Sequence, residues 1–132
     1  MAITNSRKKG KTQVSEGILS ADYDEHGEAI EFYDKALKIV ETAEIYLNKG
    51  ISLVELEKYD DAVASYDKAA ALDANDSLIW YNRGVALTQM ERYDDAILSY
   101  EKAIEISPGY GDAWYNKGEL LKHTGQIGRA HV

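Results

Sequence analysis

The stretch AEIYLNKGISLVELEKYDDAVASYDKAAALDAND, residues Ala43–Asp76, runs without a gap into SLIWYNRGVALTQMERYDDAILSYEKAIEISPGY, residues Ser77–Tyr110. The two are one unit of 34 residues written twice, with 13 of the 34 columns identical. The shared columns include Asn48/Asn82, Gly50/Gly84, Leu53/Leu87, Tyr59/Tyr93, Asp60/Asp94, Asp61/Asp95, Ala62/Ala96, Tyr66/Tyr100 and Ala69/Ala103. A fixed period of this size marks a stacked repeat architecture, because a unit so small cannot bury its own apolar face and does so against its neighbours. Within a copy, apolar residues recur at helical spacing in two blocks, Ile45, Leu53 and Leu56, then Ala62, Tyr66 and Ala69. Each unit therefore reads as two helices, and the fold class as all-α.

The turn between the two blocks carries Lys58-Tyr59-Asp60-Asp61 in one copy and Arg92-Tyr93-Asp94-Asp95 in the next. An Asp there is expected to cap exposed backbone N–H groups, and its charge suits the positive end of a helix. Exposed carboxylates of this kind have no desolvation to raise a pKa, so the pairs read as structural and not as a general acid and base. Gly50, Gly84 and Gly118 fall inside helices, at a cost of about 0.5–1 kcal/mol each relative to Ala. The expected reason is a partner helix crossing there on small Ala surfaces, with Tyr66 and Tyr100 filling the space beside it. Pro108 closes the second helix of its unit.

Outward from the two clean copies, residues 12–42 hold a worn one, in which Gly17, Ala29, Tyr33 and Ala36 precede Gly50, Ala62, Tyr66 and Ala69 by 33 residues. Gln13 stands in the column of Tyr46, Trp80 and Trp114, so this copy lacks a large anchor and is expected to fray. Asp22, Asp24, His26 and Gly27 look like the opening of a calcium loop, but the twelfth position is Tyr33 where a bidentate Glu is required. No metal is expected. Residues 1–11, with Arg7, Lys8, Lys9 and Lys11 among small polar residues, read as a disordered basic tail. A fourth copy begins at residue 111 with Trp114, Asn116, Lys117, Gly118 and Leu121 in register, and reads as the first helix of a truncated repeat over 111–126. Residues 127–132 resemble the translated end of a sequencing adapter, and are expected to be non-native.

The net charge of −8 and pI near 4.8 argue against nucleic acid as a partner, since phosphate binding needs a basic surface. The chain has no cysteine for a disulfide framework or thiolate metal site, and no apolar run near the ~18 residues that span a bilayer. The expectation is a cytoplasmic protein that meets neither membrane nor nucleic acid and uses no cofactor. No nucleophile–base set, phosphate loop or metal cluster is visible, so an enzyme is not expected.

The spacing of these residues resembles the tetratricopeptide repeat. That pattern has an aromatic near the start, a glycine four residues on, small residues flanking an aromatic on the second helix, and a proline near the end. Here it reads Trp80, Gly84, Ala96, Tyr100, Ala103 and Pro108. The resemblance implies seven helices, near residues 12–23, 27–40, 43–56, 60–72, 77–90, 94–106 and 111–124, paired antiparallel in a right-handed solenoid. It also implies a concave groove for an extended peptide or helix of a partner, lined mainly by first helices. Carried onto this chain, the groove positions are Leu47, Asn48 and Ile51; Tyr81, Asn82 and Val85; and Tyr115, Asn116 and Glu119, flanked by Glu44, Val54 and Glu55, by Leu78, Thr88 and Gln89, and by Asp112, Lys122 and His123.

Asn48, Asn82 and Asn116 recur at intervals of 34, and two readings of that column stand open. They form a ladder of amides that grips a peptide backbone, or Asn is simply tolerated there. The clamp of Lys and Arg with which some family members hold a chaperone carboxylate is missing, because Leu47, Leu78, Asp112 and Asn116 occupy its places. Groove acids outnumber Lys122, which favours a neutral or basic ligand segment. Three functions follow: a protein-interaction scaffold; a structural segment of a larger protein, self-associating through the exposed face of its last copy; and, as the least favoured, part of an enzyme whose catalytic domain lies beyond these residues.

Overall fold

The computed structural model describes residues 15–18 and 25–125, and every described element is an α-helix. In order these are α1, of which residues 15–18 are described, then α2 (His26–Leu37), α3 (Ala43–Glu55), α4 (Tyr59–Leu72), α5 (Ser77–Gln89), α6 (Tyr93–Ile106) and α7 (Gly111–His123). Among the described residues each of the seven expected helices is represented, and the six whose ends are described have boundaries displaced by a few residues. The expectations for the tail, for Gln13, for the Asp22–Asp24 turn and for residues 127–132 fall outside the described residues. The chain divides after Ala74 into two compact units. In the first, α3 packs against α2 and α4; in the second, α6 packs against α5 and α7.

The reversals between α3 and α4 and between α5 and α6 are made by a turn that the sequence does not advertise. At the end of α3, Lys58 N–H donates to Leu53 O at 2.8 Å and Glu57 N–H to Val54 O at 2.8 Å. At the end of α5, Arg92 N–H donates to Leu87 O at 2.9 Å and Glu91 N–H to Thr88 O at 3.0 Å. These are Schellman turns, which need a left-handed residue just past the helix. Glu57 (φ 60°) and Glu91 (φ 59°) fill that place, although an L side chain there costs on the order of 1 kcal/mol; Gly125 (φ 74°) fills it after α7.

Two expectations are corrected. Asp60, Asp61, Asp94 and Asp95 do not cap: α4 and α6 begin one residue earlier than expected, and Lys58 and Arg92 are the N-cap residues, without side-chain cap bonds. The acids lie inside the first turn, where their charge favours the helix end. Side-chain caps occur instead on the first helices, from Thr42 to Ile45 N–H (3.2 Å) and from Asp76 to Leu78 N–H (3.0 Å). The second correction concerns the repeated glycine. A Cβ on Gly50 would stand 2.4 Å from Cε1 of Tyr66, and one on Gly84 2.6 Å from Cε1 of Tyr100. What the glycine admits is the edge of a buried tyrosine ring, not a crossing backbone. Gly17 meets Tyr33 in the same way, at 2.6 Å, so the worn copy keeps this contact.

The tyrosines are flanked by alanines with no exposed surface, Ala29 and Ala36, Ala62 and Ala69, Ala96 and Ala103. Small residues on either side of a large ring let two helices approach along their whole length. Ile45 joins Ala29, Tyr33 and Ala36 in one cluster, with Ile18 and Leu37 against it. α6 stops at Ile106, and Ser107 caps it just before Pro108, where proline disfavours a helical predecessor.

Candidate functional site

In the second unit, α5 and α7 both rest on α6, and Tyr100 of α6 rises between them. A depression of about 250 Å³ opens over its ring, lined by Val85, Thr88, Gln89, Tyr100, Asn116, Glu119 and Leu120. Gly84 makes this possible, because any side chain there would displace the ring. The Thr88 hydroxyl donates to Gly84 O at 2.8 Å, so the Tyr100 hydroxyl is the donor in its 3.4 Å contact with Thr88. Asn116 Nδ2 donates to the same tyrosine oxygen at 3.5 Å. Burial pushes the Tyr100 phenol above its ordinary pKa, against the opposing bonds from Thr88 and Asn116, so it is neutral at physiological pH. The depression thus has an aromatic floor, apolar walls at Val85 and Leu120, and a polar rim at Gln89, Asn116 and Glu119.

Beside it, Tyr81 stacks on Tyr110 with centroids 4.9 Å apart and lies tilted against Tyr100 at 5.8 Å. Asn116 Nδ2 also donates to the Tyr81 hydroxyl, at 3.3 Å. The structure therefore joins Tyr81, Asn116, Val85 and Glu119 of the expected groove. It separates Tyr115, which is 68 % exposed at the surface of α7. Trp114 is 50 % exposed, its indole N–H donating to Pro108 O at 2.8 Å. Glu119 pairs with Lys122 at 3.5 Å, and His123 meets the edge of Tyr93 at 4.8 Å.

The asparagine column does not present three equal amides. Asn82 Nδ2 donates to Leu78 O of its own helix at 2.9 Å, Asn116 is tied to two tyrosines, and Asn48 has no side-chain hydrogen bond among the described residues. In the first unit Leu47 is 7 % exposed and belongs to the core, while Asn48 and Ile51 are half-buried. Sequence reasoning passed over Leu120 and Tyr110 and took Tyr100 for packing alone. Leu120 stands one helical turn after Asn116, a spacing that could have placed it on the same face.

Among the described residues no set of His, Cys, Asp or Glu side chains is gathered to hold a metal ion, and no helix is long and apolar enough to cross a membrane.

Family models described as tetratricopeptide repeat match residues 47–111 and 99–132. No curated protein sequence matches. Among solved structures, the tetratricopeptide domain of Arabidopsis OM64 superposes with a TM-score of 0.86 at 23% identity, over 89% of this chain and 98% of that one. The first such domain of Spaghetti (RPAP3), bound to the HSP90 peptide SRMEEVD, gives a TM-score of 0.87 at 19% identity, over 90% and 95% of the two chains. MamA gives 0.87 at 26% identity, over 94% of this chain and 77% of its own. The first two are likenesses of fold. With its 34-residue period, its Gly50–Tyr66 and Gly84–Tyr100 contacts and the two models that together span residues 47–132, the chain belongs to the tetratricopeptide repeat family.

Proposed function

We propose that the chain is a protein-interaction scaffold, and that its second unit takes one apolar side chain of an extended partner segment over Tyr100. The observation that carries the reading is the depression itself: an apolar, tyrosine-floored hollow rimmed by amides, suited to one side chain and the peptide groups beside it. Asn116 grips the backbone, while Val85 and Leu120 select the side chain. Within the first unit, Asn48 and Ile51 stand in the columns of Asn116 and Val85 and are assigned the corresponding roles there. Likeness to RPAP3 domains bound to HSP90 and HSP70 peptides supports a peptide ligand in general. The lack of basic residues at Leu47, Leu78, Asp112 and Asn116 speaks against a carboxylate-anchored tail, and the acids Asp112 and Glu119 favour a neutral or basic segment.

Titration of a peptide library against three variants tests this. Asn116→Ala removes hydrogen bonds worth about 0.5–1.5 kcal/mol net, and should weaken all bound sequences several-fold alike. Val85→Ala should change which sequences bind, and Lys102→Ala should change neither. Parent-like binding by both of the first two variants would defeat the reading. A second reading, self-association through α7, is favoured by the exposure of Trp114 and Tyr115. Sedimentation separates it, since Trp114→Ala should abolish any dimer and leave peptide binding intact.

A further inference from the structure

A larger cavity, of about 400 Å³, lies in the first unit where α2, α3 and α4 meet. Ile30, Tyr46 and Leu53 form its apolar wall. On α3 it uses Tyr46, Lys49 and Leu53, spaced by three and four residues, whereas the expected groove uses Leu47, Asn48 and Ile51. The two sets fall on different faces of the helix, so the cavity is not part of the groove.

Its polar lining is unbalanced. Lys49, Lys58 and Lys68 face Asp34 and Asp61. Lys49 pairs with Asp34 at 2.7 Å, but Lys58 and Lys68 have no ion pair among the described residues, and Lys68 Nζ stands 5.6 Å from the centre of the Tyr46 ring. Asp61 belongs to the first turn of α4, where the positive helix end offsets its charge.

Ser65 is the informative group. It lines the cavity with only 5 % of its surface exposed, yet its hydroxyl has no hydrogen-bond partner among the described residues. Buried hydroxyls are ordinarily bonded. The next copy shows how the column is satisfied elsewhere, for Ser99 accepts from Arg83 Nη1 at 2.8 Å. In the first unit the basic residue of that column, Lys49, is drawn to Asp34 instead. Likewise Arg92 pairs with Asp95 at 2.7 Å, whereas Lys58 leaves Asp61 unpaired. An unused donor and an unpaired cation one helical turn further on, at the end of an apolar hollow, match one chemistry.

We propose that this cavity binds a small organic anion, its phosphate or carboxylate group held by Ser65 and Lys68 beside Lys49, and its apolar or aromatic body lying along Tyr46, Ile30 and Leu53. A volume of about 400 Å³ admits a small molecule and not a folded partner. Lys58, ten residues before Lys68 and so about 15 Å away along α4, raises the potential at the far end without touching the anion.

The test is titration of the full chain with phenyl phosphate, followed by amide chemical shifts at constant ionic strength, with benzoate, inorganic phosphate and phenol as separate arms. Saturable shifts confined to residues lining the cavity on α2, α3 and α4 are expected with phenyl phosphate or benzoate, whichever head group is preferred. Inorganic phosphate and phenol should each bind about ten-fold more weakly, because each lacks half of the ligand. Ser65→Ala and Lys68→Gln should each weaken the binding about five-fold or more, and Lys102→Gln, the same column one copy later, should not. Ser65→Ala loses no protein hydrogen bond, so an unaltered melting temperature separates lost binding from lost fold. Shifts that never saturate, shifts scattered over lysines throughout the chain, or affinity unaltered in both the Ser65 and Lys68 variants would overturn the proposal.

Discussion

Residues 43–76 and 77–110 fold into the same helix pair by the same contact and then part company on its surface. In both, a tyrosine ring edge rests on a glycine, and a glutamate takes the left-handed place in the turn. Around that common frame Lys49 goes to Asp34 while Arg83 goes to Ser99, and Arg92 pairs with Asp95 while Lys58 pairs with nothing among the described residues. Leu47 enters the core, while its counterpart Tyr81 joins an aromatic stack. The pair is held by columns that meet within it; the remaining columns are free to diverge, and they decide what each copy presents on its surface.

The largest effect that could separate the copies is alkaline. Burial raises the Tyr66 phenol above its ordinary pKa and Glu55 adds to the shift, whereas Thr88 and Asn116 oppose the shift that burial causes at Tyr100. A folded pKa above the unfolded value of about 10 leaves stability complete below about pH 10 and removes it as pH rises toward the folded value. Each such tyrosine should cost about 1.4 kcal/mol per pH unit in that window. Urea unfolding above about pH 10 should show Tyr66→Phe flattening the loss more than Tyr100→Phe; the reverse order would mean that the bonds to Thr88 and Asn116 have no weight.

Next in size is the glycine. Gly50→Ala and Gly84→Ala should each lose about 1–3 kcal/mol, since a buried ring must shift to admit the methyl group. Gly118 occupies the same column, yet a Cβ there would meet nothing within 4 Å among the described residues. Gly118→Ala should therefore gain about 0.5–1 kcal/mol through backbone entropy, the opposite sign. Thermal melts of the three variants check both signs at once, and a loss at Gly118 would show that the column matters without its tyrosine.

Smaller still, Glu57→Gly and Glu91→Gly should each stabilise by about 0.5 kcal/mol, because relief of left-handed strain exceeds the entropy that glycine adds to the unfolded chain. Equal gains in the two copies are expected from their matching φ angles. The smallest difference is in surface charge. Arg92→Ala should cost no more than about 0.5 kcal/mol, an effect lost in high salt, and Lys58→Ala should cost nothing measurable; chemical denaturation at low and high salt compares them.

How much of this could be read beforehand differs by column. Ala62, Tyr66, Ala69 and their partners in the next copy announced themselves by helical spacing and identity, because burial on one face imposes both. The turns were hidden: Glu57 and Glu91 carry no glycine or asparagine signal, and only backbone geometry shows the left-handed residue. Asp60 and Asp94 misled because an Asp one place inside the helix start looks in sequence like a capping residue at the start itself.

The sequence by itself determined the period, the two helices in each unit, the buried alanine and tyrosine columns and the family, since all of these follow from residue type at fixed spacing. The tertiary structure alone decided what the glycines accommodate, that three asparagines in one column have three different surroundings, and that Ser65 faces a cavity while Ser99 faces Arg83. The physical reason is that spacing decides which face of a helix a side chain occupies. The partner it finds there depends on residues of other helices, such as Asp34 drawing Lys49 away, and no period within one copy records them.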